Sequence, residues 1–491
     1  MTLIWEIIAR AQDHERWMEQ VAHTGYCHHP IRIQGSIRQV DKATGEIREV
    51  YSSDNEVDQT LLLRCGNRRE SRCASCATVY RADAYQLVAA GLRGGKGVPD
   101  SVATHPRLFV TLTAPSFGAV HSRSKKGHRY LHCRPRHGNQ RCPHGRPLAC
   151  WTSHAEDDPC LGNPICSDCF DYSGQVIWNA LAPELWRCTP TYIERVLGRL
   201  AGIRAAELEE TVHIEFIKVA EFQRRGAIHF HDVMRLDAAR SPEEPDQVAP
   251  PPASFTPELF AEAVRRGVEA VKAPYPRISG ERPGGYLRWG SIDIRNITAT
   301  EGAGEVSPEA VAFYVGKYAT KSTEAMEDLD RRLKETDLDA LQGRSHIVGL
   351  VKTAWLLGGR PSLAKLKLRE RAHGLGFGGH WHTKSRRYST TFTRLCRARP
   401  EYTRRRQAEG GILLDAWGRP EDEQAVVVIK EGDMSAPAIR AQERGCWRSR
   451  ARPEQGKNAR PSARRCIGRR GLLEREGSKE RYRWRTSRGS R

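Results

Sequence analysis

The stretch GAIHFHDVMRLD, Gly226 to Asp237, places two histidines on either side of one phenylalanine. Side chains alternate between faces along a β-strand, so His229 and His231 point the same way and Phe230 points the other. Both imidazoles can then reach one cation, while Phe230 packs behind the sheet. Upstream, a loop Arg224-Arg225-Gly226 with Gly226 in the left-handed conformation closes a three-residue hairpin. That register pairs Gln223 with Ala227, Phe222 with Ile228 and Glu221 with His229, which sets Glu221 beside both histidines. A two-residue loop would send Glu221 to the opposite face. Glu215 and Asp232 are next in line as the third ligand. Two imidazoles and a carboxylate with open positions suit Mg²⁺ or Mn²⁺ acting on a phosphate oxygen, and the ligand types also suit zinc.

A second group lies in AFYVGKYATKS. On a helix, Tyr314, Lys317, Tyr318 and Lys321 follow at i, i+3, i+4 and i+7 along a single face. A phenol is a weak nucleophile at neutral pH and needs a base, cations or a polarised electrophile nearby. Lysines one turn away hold a phosphate and favour the phenolate.

The 14 cysteines of the chain fall into two groups with strays. Cys27, Cys65, Cys73 and Cys76 compose one four-thiolate set ending in Cys-x-x-Cys. The second group offers more thiols than one tetrahedral ion needs. Cys142, Cys160, Cys166 and Cys169 are the expected ligands there, with Cys133, Cys150 and His144 in reserve. Both sets are read as structural zinc sites.

The elements that must carry these residues follow from periodicity. RLFVTLTAPS (Arg107 to Ser116) alternates as a strand, and VHIEFIKVAEFQRRGAIHFHDVMRL reads as two strands around a turn. Helical spacing covers Thr191 to Glu210 and Pro257 to Val271, and a short strand is expected over Ser291 to Asn296. In EVSPEAVAFYVGKYATKSTE, Ser307 is the N-cap and Pro308 the first helical position. SPEEPDQVAPPPAS (Ser241 to Ser254) reads as an exposed linker, and the Arg-, Gly- and Ser-rich chain after about Ser435 as a disordered basic tail. The expected divisions are a cysteine-containing region over 1–100, a central domain over 101–325 that carries the histidine and tyrosine motifs with a cysteine-rich insertion at 130–190, a helical and basic region over 326–434, and the tail over 435–491.

At 491 residues with a formal charge of +20, the chain points to a polyanionic partner, nucleic acid first. No run reaches the ~18 apolar residues of a membrane span. MTLIWEIIARAQDHERWMEQ reads as an amphipathic helix rather than a secretory signal, which places the chain in the cytoplasm with reduced thiols and favours metal over disulfides.

The FVTLT strand, the HFH strand and the two-tyrosine helix, in this order, resemble the three motifs of rolling-circle replication initiators of the HUH endonuclease superfamily. CGNRRESRCASCATVYRADAYQL, CPHGRPLAC, CLGNPICSDCFDY and LGFGGHWHTKSRRYSTTF are similar to the actinobacterial plasmid and integrative-element group, RepSA-like. The resemblance covers roughly Cys27 to Pro400, and the Arg-rich end departs from it.

It implies an α+β fold, an HUH-type antiparallel sheet flanked by helices, and a site-specific DNA nickase and strand transferase. His229, His231 and an acidic third ligand would hold the metal, and a tyrosine would attack an origin phosphodiester to give a 5′-phosphotyrosine and a free 3′-OH. Tyr318 aligns with the single attacking tyrosine of one-tyrosine initiators, which gives it the first cut and leaves Tyr314 the second. No Gly-x-x-x-x-Gly-Lys-Ser/Thr is present, LRGGKGVPD being the nearest stretch, so the implied partners are origin DNA, a host helicase and a DNA polymerase. Two other readings stand beside this one: a zinc-dependent DNA-binding regulator, and a transposase or relaxase of the same chemistry.

Overall fold

The computed structural model describes residues 14–56, 58–136, 138–239, 247–278, 283–298, 305–321, 331–409 and 426–434. The tail expected to be disordered, the first half of the amino-terminal helix and residues 241–246 of the expected linker lie outside the described residues.

In chain order, α1 (His14–His23) leads into β1 (Ile31–Asp41), β2 (Ile47–Ser52) and β3 (Leu61–Leu63). Then come α2 (Ala74–Arg93), β4 (Arg107–Leu112), and a small hairpin of β5 (Ser124–Lys126) and β6 (Arg129–Leu131). The next elements are α3 (Tyr172–Ala201), α4 (Ala205–Thr211), β7 (Val212–Phe222), β8 (Ile228–Ala238) and α5 (Pro257–Ala270). Strands β9 (Ala273–Tyr275), β10 (Gly285–Leu287), β11 (Ile292–Ile297) and β12 (Glu305–Val306) precede α6 (Pro308–Lys321) and α7 (Ser345–Gly358). Strand β13 (His382–Lys384), α8 (Phe392–Glu409) and β14 (Val426–Met434) close the described chain.

The fold is mixed α+β. Its centre is a six-stranded sheet in the order β12-β11-β4-β8-β7-β13, antiparallel except for the β11/β12 pair. Because the residues alternate, the two faces bury different chemistry. On the front, Phe109, Val219 and Val233 pack with Ala84, Leu87 and Val88 of α2 and with Val311, Val315 and Ala319 of α6. On the rear, Phe230 lies edge-on to Trp186 and Trp289, with ring centroids 6.1 and 5.5 Å away. α3 supplies Trp178 and Trp186 to that face. α5 lies close on α3 because Gly267 has no side chain: a Cβ there would come within 2.7 Å of the Ile193 backbone.

Two differences from the sequence reading have physical causes. The helix read from the spacing of Ile193 to Leu200 starts at Tyr172, far upstream, and contains Pro183 and Pro190. Those prolines interrupt the local signal, and burial of the helix's Trp and apolar face outweighs their cost. It also means that the last part of the stretch expected to be a cysteine-rich insertion is core helix. Second, β14 pairs antiparallel with β1 from Ile33↔Met434 to Asp41↔Val426, in a four-stranded sheet with β2 and β3. β1 reads as IRIQGSIRQVD and is partly exposed on both faces, so its sequence carries little alternation.

Candidate catalytic and metal sites

The turn at Gln223–Ala227 sets the register on which the central site depends. Gly226 has φ +73°, and its N–H donates to Gln223 O at 2.7 Å. A Cβ there would also meet Leu350 Cδ1 at 2.7 Å, so glycine is required by conformation and by space. Gln223 N donates to Ala227 O at 2.9 Å, and Glu221 stands directly opposite His229. This is the three-residue register read from the sequence.

Helices behind the sheet pin that turn. Gln175 Nε2 donates to Arg225 O at 2.7 Å, and His346 Nε2 lies 2.9 Å from the same oxygen. Asn179 Nδ2 donates to Gly226 O at 2.9 Å, and Trp178 Nε1 donates to Ile228 O at 3.1 Å. The backbone entering His229 is therefore fixed from the rear before any ligand arrives at the front.

On the front face, Glu221 Oε2 lies 3.2 Å from His229 Nε2 and 3.3 Å from His231 Nε2. One ligand atom from each of the three residues lies within 4.8 Å of the others. Thr111, opposite His231 on β4, brings its hydroxyl to 3.2 Å from His231 Nδ1, which leaves Nε2 turned toward the carboxylate. Burial works to raise the Glu221 carboxyl pKa, but hydrogen bonds with His229 and His231 outweigh it and hold the group below its ordinary value. Burial pushes the His231 imidazole down, toward the neutral form that ligates metal. Two nitrogens and one oxygen, three donors that do not by themselves fill a metal's coordination shell, fit a divalent cation.

The other acids named for this role stand elsewhere. Asp232 turns to the rear face, where burial pushes its carboxyl well up, and it lies opposite Lys218. Glu215, six residues before Glu221 on β7, accepts a hydrogen bond from Ser385 Oγ.

α6 lays both tyrosines over the histidines. The rings of Tyr314 and Tyr318 stand 5.0 and 5.2 Å from the His231 ring and 4.3 Å from each other. The N-cap expected at Ser307 is present, its Oγ accepting from Ala310 N at 3.3 Å. Burial, then a hydrogen bond with Tyr318, raise the Tyr314 phenol pKa far above its ordinary value. Lys317 extends into solvent beside this pair. Lys321 ends the helix, and its side chain lies outside what the structure describes.

The chain matches the family described as "RepSA: Replication initiator protein, pSAM2" over residues 13–448. It belongs to that family. It is also 40% identical, over 416 residues, to a "Replication initiator protein" of Streptomyces ambofaciens, covering 83% of this chain and 84% of the relative. No solved structure matches. Among the described residues of this RepSA-family chain, no helix is long and apolar enough to cross a membrane.

The cysteines gather as well. Cys27, Cys65, Cys73 and Cys76 bring their sulfurs together, with Cys27–Cys73 at 3.7 Å and both Cys65–Cys76 and Cys76–Cys27 at 3.6 Å. A tetrahedron with zinc–sulfur bonds of about 2.3 Å has edges of roughly 3.7 Å, while a disulfide needs about 2.0 Å. The spacing suits an ion.

In the second group Cys142, Cys166 and Cys169 meet, but the fourth position belongs to His144, whose Nδ1 is 3.2 Å from Cys169 Sγ and 3.8 Å from Cys166 Sγ. Cys160 is not part of the cluster. Its backbone N–H donates to Asp158 Oδ1 at 2.8 Å in a tight turn, and its thiol is exposed. Counting thiols favoured Cys160. His144 stands only in reserve among the expected ligands; the CPHG turn that places it next to Cys142, with Gly145 N donating to Cys142 O at 2.9 Å, is the sequence signal that could have ranked it first.

Sequence reasoning also missed Thr111, Asn179, Gln175 and His346. Each lies distant in sequence from the residue it orients; Thr111 falls within the FVTLT strand but nothing there marks it as the partner of His231, and the other three carry no motif.

Proposed function

We propose that this RepSA-family chain is a rolling-circle replication initiator of the HUH endonuclease type, one that nicks its origin and transfers the strand through a tyrosine. The observation that carries the reading is the joint position of Glu221, His229 and His231 within 4.8 Å and of two tyrosine rings about one helical turn apart against His231. A strained or merely structural histidine pair has no need of either tyrosine.

A Mg²⁺ or Mn²⁺ ion held by Glu221, His229 and His231 supplies Lewis-acid polarisation of a scissile phosphate oxygen. The rest is the chain's own work. The Tyr318 phenol gives up its proton to solvent, from which the departing 3′-oxygen draws one in turn, and the tyrosine oxygen attacks phosphorus in line with that leaving oxygen. The Tyr318 Oη–phosphorus bond forms, the phosphorus–O3′ bond breaks, and the 3′-oxygen takes up a proton. The products are a 5′-phosphotyrosine and a free 3′-OH that primes synthesis.

Tyr314 lies one turn before Tyr318 on the same face, with its ring 5.0 Å from that of His231, which suits a nucleophile used second at the same site. Lys317, and Lys321 if its side chain follows the helix, neutralise the phosphate. The clusters Cys27/Cys65/Cys73/Cys76 and Cys142/His144/Cys166/Cys169 hold structural zinc in this reading. Strand separation and synthesis fall to a host helicase and DNA polymerase in the cytoplasm.

The test is covalent trapping. A 3′-labelled single-stranded origin oligonucleotide with Mg²⁺ or Mn²⁺ should transfer its labelled downstream fragment to the protein, and peptide mapping should place the adduct on Tyr318. A supercoiled origin plasmid that stays unnicked with either ion overturns the reading and leaves a zinc-dependent DNA-binding regulator.

A further inference from the structure

We propose that His121, Cys133, Cys150 and His154 bind a zinc ion, separate from the two cysteine clusters above, that clamps the base of the β5–β6 hairpin. One ligand atom from each of the four residues lies within 4.8 Å of the others. His154 Nε2 is 3.1 Å from His121 Nδ1 and 3.5 Å from Cys150 Sγ, and Cys133 Sγ is 4.0 Å from His121 Nδ1. Tetrahedral zinc with bonds of about 2.0–2.3 Å has nitrogen–nitrogen and nitrogen–sulfur edges of roughly 3.3–3.6 Å. Two thiolates neutralise the ion's charge, and four protein ligands leave no open position. The chemistry is that of a closed structural site.

The surroundings are arranged as such a site requires. His154 turns its other nitrogen to Asp158, with Nδ1 2.6 Å from Oδ2. A carboxylate behind a ligating imidazole fixes its tautomer and aims the free lone pair at the metal. Ser122 N donates to Cys133 Sγ at 3.2 Å, satisfying a sulfur as the thiolate form prefers. Cys150 is held by a bridge with Arg134, its N–H donating to Arg134 O at 3.0 Å and its own O accepting from Arg134 N at 2.8 Å. Cys133 and His154 are buried although the loop that carries them is largely polar.

A physical need for the ion comes from the hairpin. β5 and β6 have three residues each, and all six are exposed. An isolated two-stranded hairpin of this kind is marginal in water at best. His121 lies just before β5 and Cys133 just after β6, so one ion bound to both ties the two ends together. What it holds outward is basic: Arg123, Lys125, Lys126 and Arg129, with Arg123 and Lys125 both 4.4 Å from the Tyr130 ring centre.

The experiment uses the full chain purified without chelator. Metal analysis should give three zinc ions per chain, and Cys133→Ser/Cys150→Ser should give two, while Cys160→Ser keeps three. The double variant should also be cut by trypsin between Arg123 and Arg129 at least about tenfold faster. A readout that needs no variant is alkylation of the native protein. Cys133 and Cys150 should be protected until chelator is added, whereas Cys160 reacts at once. Equal alkylation of Cys133, Cys150 and Cys160 before chelation, or an unchanged metal count in the double variant, overturns the proposal.

Discussion

Asn179 grips the backbone on both sides of Ala227. Its Oδ1 accepts from Ile228 N at 2.9 Å while its Nδ2 donates to Gly226 O at 2.9 Å and to Leu375 O at 3.0 Å. A single fully buried amide on α3 thus holds the hairpin one residue before the first histidine. Asn179→Ala leaves two carbonyls and one N–H buried without partners and should cost about 2–4 kcal/mol. Asn179→Asp keeps the acceptor but lacks the donors, and should cost nearly as much. Denaturant unfolding of both variants measures this, and an unchanged midpoint for either contradicts the assignment.

The histidines should separate chemistry from docking. His229→Ala and His231→Ala should each lower nicking more than about a hundredfold, beyond the ten- to hundredfold typical of outer-shell losses. Duplex binding should stay within about threefold, because the broad basic charge sets affinity for the phosphate backbone. Glu221→Gln should follow the histidine variants. Gel shift and plasmid nicking run in parallel would expose a variant that loses binding and activity together, which this account does not allow.

The tyrosines should differ in timing. Tyr318→Phe should abolish both the covalent adduct and initiation. Tyr314→Phe should still cleave a short oligonucleotide, yet release closed circles poorly. Reversed behaviour would exchange the two roles, and full activity of Tyr314→Phe in both steps would make the enzyme depend on one tyrosine.

Acid should weaken the fold through His346. Burial lowers its pKa to about 4, and it is neutral between Arg225 O and the Tyr172 hydroxyl. The unfolded chain titrates near 6.5, so the unfolded state binds the proton first. Stability from this group is complete above that value and falls as pH drops from about 6.5 toward about 4, by up to about 3 kcal/mol. His346→Gln keeps an amide donor that does not titrate, so its unfolding midpoint should change less over that window. Parallel slopes for the two proteins would remove His346 as the cause.

Legibility in the sequence followed distance along the chain. The Arg224-Arg225-Gly226 loop, the alternation through His229 and His231 and the Ser307-Pro308 start of α6 are local signals, and each fixes a position within a few residues. What brings Thr111 to His231 or Asn179 to Ile228 is pairing across many residues, and no local pattern says which distant residue each will meet. The cysteine clusters show the same limit. Cys73 and Cys76 are spaced on one helix start, but choosing His144 over Cys160 depends on which of two turns folds toward Cys166. β14 was read as part of a helical and basic region, since only its partner β1 makes it a strand.

That last pairing has a consequence for synthesis. β1 lies near the amino terminus and its mate emerges from the ribosome only after Val426 to Met434 have been made. At about 5–20 residues per second the delay is roughly 20–80 s. Through that interval β1 offers an unpaired edge, a template for another nascent chain on the same message. The polar, two-sided character of IRIQGSIRQVD, which hid the strand from pattern reading, is what makes that wait safe: an edge with little apolar surface has little to gain from the wrong neighbour.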